Sequence, residues 1–364
     1  MDAEPRSLNF ETHELVLNGQ LLTKDTWNQI LDVEQLDEIS LKVISFFEQW
    51  WDDRSYVSIT TSGSTGTPKT IHADKQNLWK SAEKTIEWFG LKTGMTALLC
   101  LSPDYIAGKM MIVRAMHARL NLITTNLSAN PLAALNQPIH FVAMVPLQLM
   151  KVLEESPEKL KLVHTILLGG SGLSVALEKQ LQSISTNVFH SYGMTETLSH
   201  IALRAVNGIQ ANDWFQPMKQ VQISRNENGC LVAKVPFLSA DAIVTHDVIE
   251  MSENGSFKVI GRADDVIVSA GNKIHPALLE KKMEPILHFP FLISSKPNPA
   301  SGEELVLLIE KELSISSVFE LWNQLFSNLE PFEIPRLILF VPQIPLLESG
   351  KVNRLAAKQL ASKL

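Results

Sequence analysis

Apolar and polar positions change rhythm twice along this chain, and each rhythm predicts a different architecture. From residue 56 to about 190, short β-rich runs alternate with segments patterned for helix. Tyr56-Val57-Ser58-Ile59-Thr60 reads as a strand running into a Gly/Ser/Thr loop, and Asp74 is placed to cap an amphipathic helix that reaches Phe89 and ends at Gly90. Further apolar runs at 97–101, 122–125, 140–145 and 163–168 are separated by helix-length segments such as 108–120 and 174–184. Strands alternating with helices predict a parallel sheet covered on both faces, with ligands at the loops beyond the strands' carboxyl ends. After about 215 the pattern shortens. Gln220–Val235 and Asp247–Ile260 each carry an Asn-Gly turn, at Asn228-Gly229 and Asn254-Gly255, which predicts hairpins in a small antiparallel sheet. From about 265 the order is strand, helix, strand, helix, strand, helix, enough chain for a separate α+β domain.

Composition narrows the classes. Of 364 residues, 20% are charged and 45% hydrophobic, which excludes disorder, and 39 acids against 32 bases give a net charge of −7. An acidic chain offers no general field for nucleic acid or an anionic membrane. Apolar runs such as Phe141–Val145 fall well short of the ~20 residues of a membrane span. The acidic start, Met1-Asp2-Ala3-Glu4, does not read as a secretory signal, and Cys100 and Cys230 lie too far apart in sequence to suggest a disulfide framework or a zinc site. The expectation is a soluble cytoplasmic protein.

The candidate chemistry lies in seven strings. Thr61-Ser62-Gly63-Ser64-Thr65-Gly66-Thr67-Pro68-Lys69 packs glycines, hydroxyls and a cation between a strand and a helix, which suits a phosphate. Pro68 stands where a Walker loop needs glycine, so it is a phosphate loop of another kind. Leu168-Gly169-Gly170-Ser171-Gly172 closes a strand. Tyr192-Gly193-Met194-Thr195-Glu196-Thr197 offers an aromatic face, a hydroxyl and a carboxylate suited to a hard cation. Thr245-His246-Asp247 and Gly261-Arg262-Ala263-Asp264-Asp265 flank the second hairpin, and Ser269-Ala270-Gly271-Asn272-Lys273-Ile274 follows. The seventh string, Pro345-Leu346-Leu347-Glu348-Ser349-Gly350-Lys351, places a lysine near the C-terminus. Taken singly, most of these are ordinary turns or solvated surface.

Taken in order, they resemble the motifs of the adenylate-forming superfamily, which includes acyl-CoA synthetases, luciferases and peptide-synthetase adenylation domains. The resemblance spans about 56 to 354. It implies an α/β fold with a large ATP- and acid-binding domain at 1–263 and a small mobile α+β domain at 264–364. It implies that Thr61, Ser62, Gly63, Ser64, Thr65, Gly66 and Lys69 hold phosphate, that Gly170 and Ser171 border the adenine, and that Tyr192 and Gly193 receive it. Thr195 would contact the α-phosphate, Glu196 Mg²⁺, and Asp247 and Arg262 the ribose. Asp264 would be the hinge, Gly271 and Lys273 would lie on the loop lining the pantetheine approach, and Lys351 would be the catalytic lysine of adenylation. The implied co-substrates are ATP and CoA, with a small carboxylic acid as the substrate. Two departures stand out: Ala270 replaces a usual glycine, and the family carries a much longer section before its phosphate loop than the 60 residues here.

Ser102–Arg114 resembles the pocket-wall helix of o-succinylbenzoate–CoA ligases, which serve menaquinone synthesis, although Tyr105 stands where histidine is typical. This nominates Tyr105, Lys109, Arg114 and, from Thr195–His200, His200 as substrate residues. Helix cations are otherwise expected on the surface, and a histidine in such a run is otherwise expected in the core. A ligase for another aryl or short acyl acid, one loading a carrier protein, and a nucleotide-binding homologue without catalysis stay open at this point.

Overall fold

The computed structural model describes residues 10–27, 38–60, 70–346 and 352–363. Two compact units emerge, one of Met1–Gly172, Gln180–Gln222 and Lys234–Ile243, the other of Leu173–Lys179, Ile223–Ala233 and Val244–Leu364.

The first unit is built on a nine-stranded sheet. In chain order its elements are β1 (Leu15–Leu17), β2 (Gln20–Leu22), α1 (Glu38–Trp50), β3 (Tyr56–Thr60), β4 (Thr70–Asp74), α2 (Lys75–Phe89), β5 (Thr96–Leu99), α3 (Ile106–Ala118), β6 (Asn121–Thr124), β7 (Ile139–Met144), α4 (Pro146–Glu155), β8 (Val163–Leu168), β9 (Asn187–Gly193), β10 (His200–Ala205) and β11 (Gln216–Pro217). The sheet order is β11-β10-β9-β8-β7-β5-β6-β1-β2. Its centre, from β1 through β9, is parallel, as the βα alternation predicts. Strands β2, β10 and β11 complete the two edges in antiparallel pairing.

The run at 56–60 departs from the expectation. It is a strand, but it pairs antiparallel with β4, Tyr56 opposite Asp74 and Thr60 opposite Thr70, in a ribbon of its own. The reason is chain length. Only nine residues separate the two strands, and a parallel crossover needs a dozen or more. Asp74 does cap the following helix, its Oδ1 accepting the Asn77 N–H at 3.0 Å, and Gly90 closes it in the left-handed conformation.

Helix α3 is buried nearly all round, from Gly108 to Met116. It starts hard against the end of β5, since a Cβ on Gly108 would lie 2.3 Å from the Ser102 carbonyl oxygen. The N-terminal segment is tied in by aromatic rings. Phe46, Phe47 and Trp50 of α1 are fully buried. His13 stacks on Trp79 of α2 at 3.8 Å, and Trp79 stacks on His117 of α3 at 4.3 Å. The Trp50 indole N–H donates to His13 Nδ1 at 3.2 Å.

The second unit carries two sheets. One is four-stranded, ordered β12 (Gln222–Arg225), β13 (Cys230–Lys234), β14 (Ile243–Met251) and β15 (Phe257–Arg262), with the Asn-Gly turns where the sequence predicts them; Gly229 and Gly255 are both left-handed. The other is five-stranded: β16 (Ile267–Ser269), β17 (Asn272–Ile274), β18 (Phe291–Asn298), β19 (Gly302–Ile309) and β20 (Leu337–Phe340). Alternation on β19 fills both faces of this sheet. Leu305, Leu307 and Ile309 pack with α5 (Pro276–Met283) and α6 (Ile315–Asn328), while Val306 and Leu308 pack with α7 (Arg354–Ala361). Among the described residues no helix is long and apolar enough to cross a membrane.

Burial, and secondarily the charge of His117, holds the His13 pKa down at about 4, and burial also lowers His117. Both rings are therefore neutral in the fold at pH values where the unfolded chain protonates them, so stability is lost as pH falls below about 6.5 toward 4. We expect the urea midpoint to drop across that window, and His13→Asn, which keeps an uncharged acceptor for Trp50, to flatten the slope by about one proton. Equal slopes for the two proteins would remove His13 from the account.

Candidate functional site

Strands β8 and β9 end side by side, Leu168 opposite His190, and the glycine-rich string continues from the first of them. A Cβ on Gly169 would lie 2.9 Å from Ser191 Oγ, and Gly170 is left-handed, so small residues are required by close approach and by conformation. The His190 ring, through Nε2, lies 3.0 Å from the Ser171 carbonyl. Gly170 and Ser171 are thereby fastened beside the strand that carries Tyr192 and Gly193. Tyr192 is half-buried, its ring 5.9 Å from that of Phe215.

One 3-10 turn, Thr195–Thr197, follows. The Thr197 hydroxyl accepts the Met194 N–H at 2.9 Å and donates to the Ser199 carbonyl at 2.6 Å. Leu198 then takes a left-handed φ of +60°. That conformation is strained for a branched side chain, and strain of this kind concentrates at working sites. Thr195 is half-buried and Glu196 exposed. A single exposed carboxylate suits an ion held otherwise by substrate phosphates and water, so Glu196 fits Mg²⁺. Among the described residues no cluster of three or more potential ligands makes a dedicated metal cage.

The residues nominated for the acid gather around α3. Tyr105 is exposed at the helix start. Lys109 and Arg114 are not surface cations: they are 5% and 2% exposed. Lys109 Nζ sits 5.6 Å from the centre of the Phe46 ring, and burial lowers its pKa against the opposing pull of Asp104. Arg114 donates from Nε to Thr85 Oγ1 at 3.2 Å and from Nη2 to Ser199 Oγ at 2.7 Å, while Nη1 meets only Met111 Sδ at 3.8 Å. His200 Nε2 lies 3.2 Å from Thr85 Oγ1 and its Nδ1 lies 3.3 Å from Ser199 Oγ. Burial pushes the guanidinium pKa down to about 9, still charged at neutral pH; burial and then the Arg114 charge push His200 well below the usual range and keep it neutral. Arg114 and His200 thus meet, and Thr85 and Ser199 join them. Sequence reading did not single out these two hydroxyls, because the three segments they link are distant in the chain.

Within the second unit, Asp247 and Arg262 face each other across β14 and β15. Arg262 pairs two-fold with Asp264, through Nε at 2.9 Å and Nη2 at 2.8 Å, and reaches Asp247 with Nη1 at 3.4 Å. The Asp264 hydrogen bonds raise the Arg262 pKa and lower that of Asp264. Gly271 and Lys273 lie on the hairpin from β16 to β17, whose two turn residues, Ala270 and Gly271, are both left-handed. Such a turn prefers Asn-Gly or Gly-Gly, so alanine is conformationally costly there. Thr61, Ser62, Gly63, Ser64, Thr65, Gly66, Lys69 and Lys351 lie outside the described residues.

Comparison with known proteins gives one family. Residues 15–228 match the model of the AMP-binding enzymes. The chain is 26% identical over 379 residues to the 2-succinylbenzoate–CoA ligase of Listeria monocytogenes, covering 94% of this chain and 79% of that protein. The ligase of the same name from Lactococcus lactis is 23% identical, with 95% and 85% covered. Among solved structures, an acyl-CoA synthetase (AMP-forming)/AMP-acid ligase II-like protein from Dyadobacter fermentans is 33% identical, with 90% of this chain and 95% of that chain covered and a TM-score of 0.61. The o-succinylbenzoate CoA synthetase of Bacillus subtilis, solved with its acyl-adenylate intermediate, shares the fold at 22% identity and a TM-score of 0.71, with 83% and 68% covered.

Gly193 marks where β9 and β10 press together: a Cβ there would lie 2.4 Å from the Ser199 carbonyl oxygen and 2.5 Å from His200 Cα. We expect Gly193→Ala to cost about 1–3 kcal/mol, the usual range for overpacking, whereas Gly172→Ala, which meets nothing within 4 Å, stays within about 0.5 kcal/mol. Urea denaturation of the two variants checks this, and equal midpoints would refute the close approach.

Proposed function

The chain belongs to the AMP-binding enzyme family, and on that premise we propose that it is an ATP-dependent acid–CoA ligase that converts o-succinylbenzoate to its CoA thioester for menaquinone synthesis. A carboxylate is a poor acyl donor because oxide leaves badly. Attack of its oxygen on the α-phosphorus of ATP expels pyrophosphate and leaves an acyl-adenylate. The CoA thiolate then attacks the acyl carbon and expels AMP. ATP and CoA as substrates put the reaction in the cytoplasm.

Each residue has a task in this reading. Tyr192 offers a face to the adenine, bordered by Gly170 and Ser171, while Asp247 and Arg262 take the ribose hydroxyls. The loop from Thr61 to Lys69 cradles the phosphates and Thr195 donates to the α-phosphate. Mg²⁺, held by Glu196 and the phosphates, supplies charge neutralisation when bound. Lys351 adds a positive charge where the transition state gathers negative charge on phosphate and carboxylate oxygens. Asp264 serves as the hinge between 1–263 and 264–364, so that Lys351 withdraws and the loop of Gly271 and Lys273 admits the thiol.

The observation that carries the substrate is Arg114. The residue is 2% exposed, and among the described residues its partners are hydroxyls and a thioether, with no carboxylate. A buried charge without a counterion is costly, so a ligand that brings an anion to it is favoured strongly. o-Succinylbenzoate carries the second carboxylate that meets this need, and a planar fork binds a carboxylate in two-pronged fashion. His200 shares Thr85 and Ser199 with it, while Lys109 packs on Phe46 of α1 and Tyr105 is exposed at the start of the same helix.

Acid-dependent AMP release, measured with and without CoA, tests the reaction. Lys351→Ala should abolish pyrophosphate exchange yet spare thioester formation from supplied acyl-adenylate; equal loss in both half-reactions would show the lysine wrongly assigned. Arg114→Ala should raise the KM for o-succinylbenzoate on the order of tens- to hundreds-fold, the worth of a charged hydrogen-bonded pair, with the ATP KM nearly unmoved. A wild-type preference for a monocarboxylic acid would overturn the substrate and leave adenylation standing.

A further inference from the structure

Thr85 is completely buried on α2 and takes no part in the roles set out above. Its hydroxyl nonetheless lies at the centre of a closed ring of contacts. One arrangement of protons satisfies every polar atom of that ring. Arg114 donates from Nε to Thr85 and from Nη2 to Ser199. With the imidazole proton on Nε2, Ser199 can donate to His200 Nδ1, His200 to Thr85, and Thr85 to the Ser81 carbonyl, 3.4 Å away. This arrangement needs the neutral imidazole, which burial beside Arg114 favours, with its proton on Nε2. Thr85 Oγ1 then uses both lone pairs, one on the guanidinium and one on the imidazole. The Nε–Nη2 edge of Arg114 is thereby fixed, and Nη1, which among the described residues meets a thioether alone, keeps its donors for an anion.

We propose that Thr85 is a specificity-determining positioning residue, which fixes the plane of the Arg114 guanidinium and so selects acids that carry a second carboxylate. The assignment rests on the substrate reading above. Two-pronged recognition requires the fork to be held in one plane, and a guanidinium free to turn loses that selectivity before it loses its charge. Ser199 holds the other end of the same edge, its own backbone set by the Thr197 hydroxyl and the left-handed Leu198.

The test compares two acids: o-succinylbenzoate, and 4-oxo-4-phenylbutanoate, which keeps the aliphatic carboxylate that is activated and lacks the aromatic one distal to it. Thr85→Val removes the hydroxyl at constant shape. Its expected effect is a rise of about tenfold in the KM for o-succinylbenzoate, the loss of one charge-assisted hydrogen bond, with the KM values for ATP and the monocarboxylate moved by less than about twofold. Thr85→Ser should restore discrimination, since it returns the oxygen. Ser199→Ala, at a half-buried position, should lower discrimination in the same sense and serves if the valine variant does not fold. Discrimination that survives both Thr85→Val and Ser199→Ala, or an equal rise for both acids, overturns the proposal. A wild-type enzyme indifferent to the distal carboxylate overturns the substrate reading, and this assignment with it.

Discussion

A guanidinium buried, among the described residues, without a carboxylate partner is the constraint around which the first unit is arranged. Taking a charge out of water costs several kcal/mol unless hydrogen bonds and a counterion answer it. Here the hydrogen bonds come from Thr85 on α2 and Ser199 before β10, and Arg114 itself stands on α3. Three segments distant in sequence must therefore meet within hydrogen-bond reach. His200 closes the circuit in neutral form, so the ring holds one positive charge and not two. That economy matters, because a second cation would raise the cost of the empty state and weaken the hold on Arg114.

How this helix reaches its place also explains why the site was only half legible in the sequence. Local signals were readable: Asp74 and Gly90 at the ends of α2, and the Asn-Gly turns at 228–229 and 254–255, each act through a few neighbouring residues. Asn18-Gly19, both left-handed, carries the same signal for the β1–β2 hairpin. Arg114 is the opposite case. A cation on a helix reads as solvated, but α3 is buried on nearly every side, so no amphipathic stripe reports where its polar residues point. Its partners, 29 and 85 residues away, are a threonine and a serine. Hydroxyls carry no charge pattern that would reveal the meeting. The ribbon of β3 and β4 shows a third kind of difference, where nearest-neighbour patterning named a strand correctly and the short connection chose its partner.

The close approach at Gly193 connects these two levels. Between Tyr192 and His200 the chain makes one 3-10 turn, passes through a strained Leu198, and re-enters the sheet antiparallel. Nine residues thus carry both the aromatic face proposed for adenine and the Ser199 hydroxyl that receives Arg114, with the His200 imidazole beside it. The Thr197 hydroxyl ties the two ends of the turn together, to Met194 and to Ser199. A displacement at one end is transmitted to the other through hydrogen bonds and backbone contact, with no intervening element to absorb it.

That coupling bears directly on how an acid is activated. Bringing a carboxylate oxygen into line with the α-phosphorus is a matter of tenths of an ångström, and most of the catalytic advantage in such a step is orientation. An acid anchored at its far end by Arg114 has its reacting end set by the distance between that anchor and the Thr195–Glu196 turn. Because both belong to one short, tightly bonded stretch and its immediate partners, the distance is a property of the first unit alone. In the proposed reading, a ligand lacking the distal carboxylate would forfeit more than affinity: it would lose the fixed length against which the phosphate is positioned. Under the proposed function, selectivity depends on this separation as much as on a charge.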